Sequence, residues 1–343
     1  MLRRRPALDG LVAGLDGIDR LVLLGDVIEM RHGPVSAALG VAAPALEAVG
    51  AAMEGGVVVL VPGNHDHGLV RPWLDEVPEP SLEERVEAAA ASPAAEAMVA
   101  LLAPAQIEIA YPGIWLRDDV YATHGHYLDV FTTIPTFERL GAGLMARLVG
   151  APEPGAIPAD FEAVLAPIYA WIESAAHRTR PGRRAAGAGR AGQVWAAMAG
   201  PGRRPLRRRA LAAGFPVLIA ALNQAGVGPL RADLSGPGLR RGGLAGMREA
   251  AARLEVDAAH LIFGHTHRTG PLPGDDLAEW TTDTMRLHNA GSWIYARGFV
   301  GRDGAAGPYW PGGAVEVSEQ GPPVIRRLLG DVAAQDLRAP RRA

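Results

Sequence analysis

The feature that most restricts this chain is a set of short apolar runs, each ending abruptly at a turn rich in glycine, histidine and aspartate. Residues 20–24, 57–61, 120–123 and 260–263 are compact strand-like runs. They are followed at once by Gly25-Asp26-Val27-Ile28-Glu29, Gly63-Asn64-His65-Asp66, His124-Gly125-His126 and Gly264-His265-Thr266-His267. The first two runs lack apolar/polar alternation, which predicts strands covered on both faces. Helical spacing over 7–16 and 37–53 places these runs in βαβ-like units. In open α/β sheets the carboxyl ends of the strands are where ligands collect, and the polar residues begin where each strand stops.

Composition narrows the chemistry at those turns. With no cysteine in 343 residues, disulfides, thiolate ligands and cysteine nucleophiles are excluded. Any metal must be held by His, Asp, Asn or Glu. That mixture of hard oxygen and borderline nitrogen suits Mn²⁺, Fe²⁺ or Zn²⁺. Glycine at each turn lets the backbone bend sharply and approach an ion. The net charge of −3 gives no overall pull toward nucleic acid, so no obligatory nucleic-acid partner is expected. All 34 basic residues are arginine, so individual arginines are not read as phosphate-binding by design.

The remaining organisation is coarser. A helix is expected over 81–102, and two short strands over 107–109 and 114–116. From 127 to 257 the chain is rich in Ala, Arg, Gly and Pro with helical periodicity, as at Phe161, Leu165, Ile168, Tyr169 and Ile172. Residues 178–192 read as an Arg/Gly/Ala linker. Strands return at 286–290 and 315–317, and 326–343 reads as a flexible C-terminal tail. The span 210–230 is apolar, but Gly214, Pro216, Asn223, Gln224, Gly226 and Gly228 interrupt it. It is expected to be a buried helix with a basic flank at 203–209 rather than a membrane span. Residues 1–6 carry arginines without a following apolar run and, as they stand, are not read as a signal peptide.

Taken in order, Gly25-Asp26, Gly63-Asn64-His65-Asp66, His124 and Gly264-His265-Thr266-His267 resemble the motif series of the calcineurin-like metallophosphoesterases. The resemblance covers roughly 7–126 and 258–318. It implies an α/β fold with two mixed β-sheets packed as a sandwich and flanked by helices. The core would be 1–126 with 258–325, and a helical cap or insertion would fill 127–257. It implies a hydrolase of a phosphate mono- or diester with two divalent ions, manganese foremost, and attack by a metal-bridging hydroxide. Asp26 would bridge the ions, Asn64, His124 and His265 would complete one, and His267 would ligate the other. His65 would protonate the leaving oxygen, with Asp66 orienting its ring. Asn289-Ala290-Gly291-Ser292 resembles the family's supporting Asn-x-Gly-Ser turn.

Other residues are assigned on their context. His126, His67 and Arg268 are candidate substrate contacts, and Glu29 reads as a turn residue. His32 reads as a loop histidine, and His177, His260 and His288 as structural. The run 203–209 is taken as a solvated helix face.

One departure is plain: the family's opening Asp-x-His occurs nowhere in the sequence. The series begins with a helix where a strand is due, so the true start is expected to lie some tens of residues upstream, with the motif there. As written, the first ion would have two protein ligands, Asp26 and His267, and activity would be weak or absent. The alternatives are a catalytically impaired scaffold or binding protein of the same fold, a nucleic-acid-processing enzyme, and a membrane-associated phosphohydrolase of phospholipids or nucleotide sugars. A cytoplasmic location is expected, with peripheral membrane contact through 210–230 the less favoured reading.

Overall fold

The computed structural model describes residues 1–177, 206–301 and 303–338. The linker read at 178–192, the start of the 203–209 run and the last five residues lie outside the described residues, as do the side chains of His32, His177 and Arg207 to Arg209. The chain divides into two compact units, Met1–Gly125 with Asp257–Ala343, and His126–Val256.

The first unit is α/β. Its strands are β1 (Arg20–Leu23), β2 (Val57–Leu60), β3 (Glu83–Arg85), β4 (Gln106–Arg117), β5 (Val120–Thr123), β6 (His260–Phe263), β7 (Thr269–Gly270), β8 (Arg286–Ala290), β9 (Gly313–Glu316) and β10 (Val324–Arg327). Where two mixed sheets packed as a sandwich are expected, the hydrogen bonds run through one mixed sheet, β1-β2-β4-β5-β6-β8-β7, with β3 added on β4. β9 and β10 form a small antiparallel pair of their own. The joining element is β4, which spans the two short strands expected at 107–109 and 114–116. Its first half pairs parallel with β2 and its second half antiparallel with β5. Pro112 sits at the changeover, where a missing N–H costs neither ladder a hydrogen bond.

Side-chain parity explains why the strands are apolar throughout. Leu21 and Leu23 of β1, with Val58 and Leu60 of β2, face a core built with Leu46, Val49, Met98 and Leu102. Those four come from the Val35–Ala52 and Pro93–Leu101 helices and the turn after the latter. The intervening Val22, Val57 and Val59 join Ile114, Val120, Ala122 and Ile262 in a second core. That second core contains residues from both halves of the sheet. Burying a Val or Leu side chain contributes about 1.5–3 kcal/mol, so both faces of β1 and β2 stabilise the fold.

Three local expectations change. The helix read over 81–102 begins as β3, because the edge of β4 offers paired hydrogen bonds that outweigh the helix preference of Glu and Arg. Helix resumes with a turn at Ala88–Ala91 and starts again at Pro93, where the Ser92 hydroxyl caps the amide of Ala95. The tail read from 326 is instead partly packed: it completes β10, buries Leu329 and Leu337, and forms a helical turn at Ala334–Leu337. Among the described helices, Val35–Ala52 is the one long and apolar enough to cross a membrane by length and composition. Leu46, Val49 and Gly50 are its buried side.

The second unit is helical, with Phe137–Val149, Pro158–His177, Leu206–Gln224 and Gly236–Arg253 as its long elements. Phe161, Leu165, Ile168 and Tyr169 are buried, as their spacing predicts. The expected burial of 210–230 is corrected: the helix ends at Gln224, and of its side chains from 214 onward only Ile219 is buried.

On the adjacent strands β6 and β8, His260 Nδ1 lies 3.1 Å from His288 Nε2. A neutral pair can share one hydrogen here, whereas two charged rings would repel. Burial, then His260 and Arg286, lowers the pKa of His288 from 6.5 to about 4. The folded state therefore refuses a proton that the unfolded chain accepts. Stability from this site is complete above pH 6.5 and is lost as pH falls toward 4, a contribution on the order of 3 kcal/mol. Chemical denaturation at stepped pH should show His288→Gln losing less stability than the parent between pH 6.5 and 4; parallel curves would contradict the assignment.

Candidate metal centre

The turns after β1, β2, β5 and β6 converge, and backbone bonds hold them together. Val61 donates to Leu23 O at 3.0 Å, Met30 to His65 O at 3.1 Å, and Gly264 to His124 O at 3.0 Å. Asp66, fully buried, fixes the two N-terminal turns to each other. Its Oδ1 accepts from the amides of Gly63 (2.6 Å) and Asp26 (3.2 Å), and its Oδ2 from Val27 (2.7 Å) and Ile28 (3.4 Å). Burial and the charge of Asp26 raise the Asp66 pKa, against those amide bonds, which favour the carboxylate.

Asp26 stands at the centre. Its Oδ1 accepts from the His65 amide at 2.9 Å and lies 3.4 Å from His124 Nε2; its Oδ2 is 3.8 Å from His65 Nε2. His124 Nδ1 donates to Leu24 O at 2.8 Å, which turns Nε2 toward Asp26 and toward Asn64 Oδ1 at 3.3 Å. The His265 ring stands edge-on to His124 at 5.3 Å. Ligand atoms of Asp26, His124 and His265 all lie within 4.8 Å of one another, so these three can hold a metal ion. Asn64 adds a hard oxygen beside them, a donor set suited to a divalent cation. His267 is within electrostatic reach of Asp26, His265, His65 and His124, and burial brings its pKa down to about 4, leaving a neutral imidazole for ligation.

Electrostatics agree with that use. Burial alone would raise the Asp26 pKa, but His124 and His65 hold the carboxyl well below its usual range. Burial alone would lower His124, but the adjacent Asp26 carboxylate lifts it to about 9. The spot between these side chains favours positive charge.

The backbone is strained where the ligands sit. Four described non-glycine residues have left-handed φ, and three are Asp26 (55°), His265 (62°) and His267 (61°). Each such residue costs on the order of 1–2 kcal/mol, and strain of this kind clusters at functional sites. Glycine is required twice: Gly25 at φ 81° lies against the His124 ring, and a Cβ at Gly63 would lie 2.5 Å from Asp26 Oδ1.

The expectation that Asp66 orients His65 is corrected, since all its bonds named above run to backbone amides. His65 Nδ1 instead pairs with Glu29 Oε2 at 2.7 Å, and Arg31 Nη2 donates to His65 Nε2 at 2.6 Å. Arg31 favours the neutral ring; Asp26 and Glu29 favour the charged one. Burial lowers the His65 pKa, but the two carboxylates outweigh it and hold it above the ordinary value. Both partners escaped the sequence reading, although Glu29 lies three residues beyond Asp26 on the same turn.

All three candidate substrate contacts are buried side chains. His67 is buried with its ring edge-on to Tyr111 at 6.2 Å. His126, in the second unit, is buried against Tyr127 (4.8 Å) and Tyr169 (5.9 Å). Arg268 is buried, paired with Asp275 at 2.5 Å and lying 5.1 Å over Trp280. Asn289 Nδ2 donates to Thr266 Oγ1 at 2.7 Å, so the Asn-x-Gly-Ser turn braces the β6 loop.

Comparison of the chain with protein-family models, with curated proteins and with solved structures finds no match.

Removing the Asp66 carboxylate would strand four amides at the site, each worth about 1–3 kcal/mol when buried without a partner. Asp66→Ala should therefore lower stability by at least about 3 kcal/mol, with His65→Gln within about 1 kcal/mol of the parent. Equal denaturation midpoints for the two variants would contradict this role.

Proposed function

We propose that the chain is a metal-dependent phosphoesterase of the calcineurin-like type, its sheet halves closing a sandwich, and that it hydrolyses a phosphate mono- or diester. The observation supporting this most directly is the convergence of Asp26, His124 and His265 at strand ends, beside His65 with its Glu29 and Arg31 partners. Asp26, Asn64, His124 and His265 would hold one divalent ion, with Asp26 and His267 contributing to a second; manganese suits these donors. Such ions, when bound, bring the pKa of a water toward neutrality and neutralise phosphate oxygens.

The protein's own groups do the rest. Asp26 supplies anionic charge, and the His124 bond to Leu24 keeps Nε2 aimed inward. Glu29 fixes the His65 ring through Nδ1, leaving Nε2 as the atom that passes a proton to the departing alkoxide. Arg31 sits where its planar donors can take a phosphate oxygen in place of the His65 nitrogen.

A second reading, a metal-binding fold without turnover, is favoured by one observation: the sequence contains no Asp-x-His. Metal titration and turnover separate the two. The phosphoesterase should bind Mn²⁺ by calorimetry and hydrolyse a chromogenic monoester or diester. Asp26→Ala should abolish both. His65→Gln should keep Mn²⁺ affinity while kcat drops about a hundredfold or more, the range for a lost general acid. Gly63→Ala should weaken Mn²⁺ binding by about tenfold or more, through the clash with Asp26. Mn²⁺ binding without hydrolysis would select the second reading, and absence of binding would sink both.

A further inference from the structure

The first unit carries a second pair of side chains with metal-binding atoms. His260 opens β6, and the turn of the metal centre begins only after β6 ends at Phe263. On β8, His288 stands in register with Ile262, so it shares a sheet face with His260, two residues along. That face is the one Ile262 gives to the second core, with Val120 and Val315. His288 is 3% exposed and His260 is half-buried. An aliphatic side chain at 288 would fill the same place with no polar ring to satisfy.

The two nitrogens are placed for a shared ligand. His260 Nδ1 and His288 Nε2 lie 3.1 Å apart, and between two neutral rings one hydrogen serves both. A tetrahedral zinc ion, with Zn–N bonds of about 2.0–2.1 Å, holds two ligand nitrogens about 3.3–3.4 Å apart. The pair need open by only a few tenths of an ångström to take an ion in place of that hydrogen, which moves to the other nitrogen of its ring. Burial lowers the pKa of both rings, so no net proton has to leave near neutral pH.

An approach path and outer contacts are present as well. His260 lines a cavity of about 460 Å³ together with Arg117, Asp119, Arg286 and Gly321. Among those charges Asp119 acts most strongly on His260, ahead of Arg286 and Arg117, and it favours positive charge there. Arg117 fixes that carboxylate, with Nε 2.5 Å from Oδ1 and Nη2 3.0 Å from Oδ2. It also donates to Ser318 O at 2.7 Å and Gly321 O at 2.9 Å, in the turn between β9 and β10. One guanidinium therefore holds both the carboxylate and the cavity wall.

We propose that His260 and His288 form a second metal site, which takes one divalent ion of the zinc, nickel and copper group through Nδ1 and Nε2. Two imidazoles with no oxygen ligand select such ions over manganese, magnesium and calcium. Water in the cavity supplies the remaining ligands. The proposal is independent of the phosphoesterase reading, because it needs neither Asp26 nor turnover.

Calorimetric titration with Zn²⁺ tests it, on Asp26→Ala so that the first centre does not mask the signal. That variant should bind one Zn²⁺ per chain and ignore Mn²⁺. Adding His288→Gln or His260→Gln should weaken the binding by about tenfold or more, since a lost ligand costs at least as much as a lost outer contact. Far-UV circular dichroism checks that each variant is folded. In the parent, His260→Gln should lower the Zn²⁺ stoichiometry by one, a readout that does not depend on Asp26→Ala folding. Absence of Zn²⁺ binding by folded Asp26→Ala would overturn the proposal, as would binding that neither histidine substitution weakens. A parent stoichiometry unchanged by His260→Gln, or Mn²⁺ held at the pair as tightly as Zn²⁺, would overturn it too.

Discussion

One carboxylate underlies the arrangement of the metal centre. Asp66 takes amides from both the turn after β1 and the turn after β2, so two loops forty residues apart become a single rigid surface. The two loops gain a common anchor, and a buried carboxylate is costly unless it is fully bonded. The two needs meet in one place. Asp26 can present its oxygens to His124 and His265 only because its own backbone is held from behind.

The same economy governs backbone strain. Asp26, His265 and His267 all adopt left-handed φ, a conformation that a chain folding for stability alone gives to glycine. Glycines stand next to two of them, Gly25 before Asp26 and Gly264 before His265, so the sequence could have placed the strain on residues that bear it freely. It falls instead on side chains with metal-binding atoms. Hydrogen bonds from Asp66 on one side and Asn289 on the other hold the loops that carry it.

Much of this was legible in the sequence because strands end where polarity begins. The apolar runs located β1, β2, β5 and β6, and the residues just past them, Asp26, Asn64, His124 and His265, are the ones that meet. What escaped involved contacts with no periodic signature. Glu29 reaches His65 across 36 residues, and no spacing rule marks such a pair. Arg268 drew attention as the neighbour of His267, and only the structure shows its pairing with Asp275 and its place over Trp280. His67 and His126 are both buried, which their place after a motif in the sequence did not show. Tyr111-Pro112-Gly113 reads as a break, and only the changeover of partners along β4 shows why the strand continues.

That continuity makes β4 the part of the sheet least able to absorb a change in length. Along most of a chain an inserted residue can be taken up by the nearest loop. Here residues 106–109 pair with β2 and 113–117 with β5 in the opposite sense, and the three between them pair with β3, so no loop intervenes. An added residue near Pro112 would turn one half over relative to the other and exchange inward and outward side chains. Natural variation in the length of this protein should therefore collect at the strand ends and in the helical unit, and pass over residues 106–117.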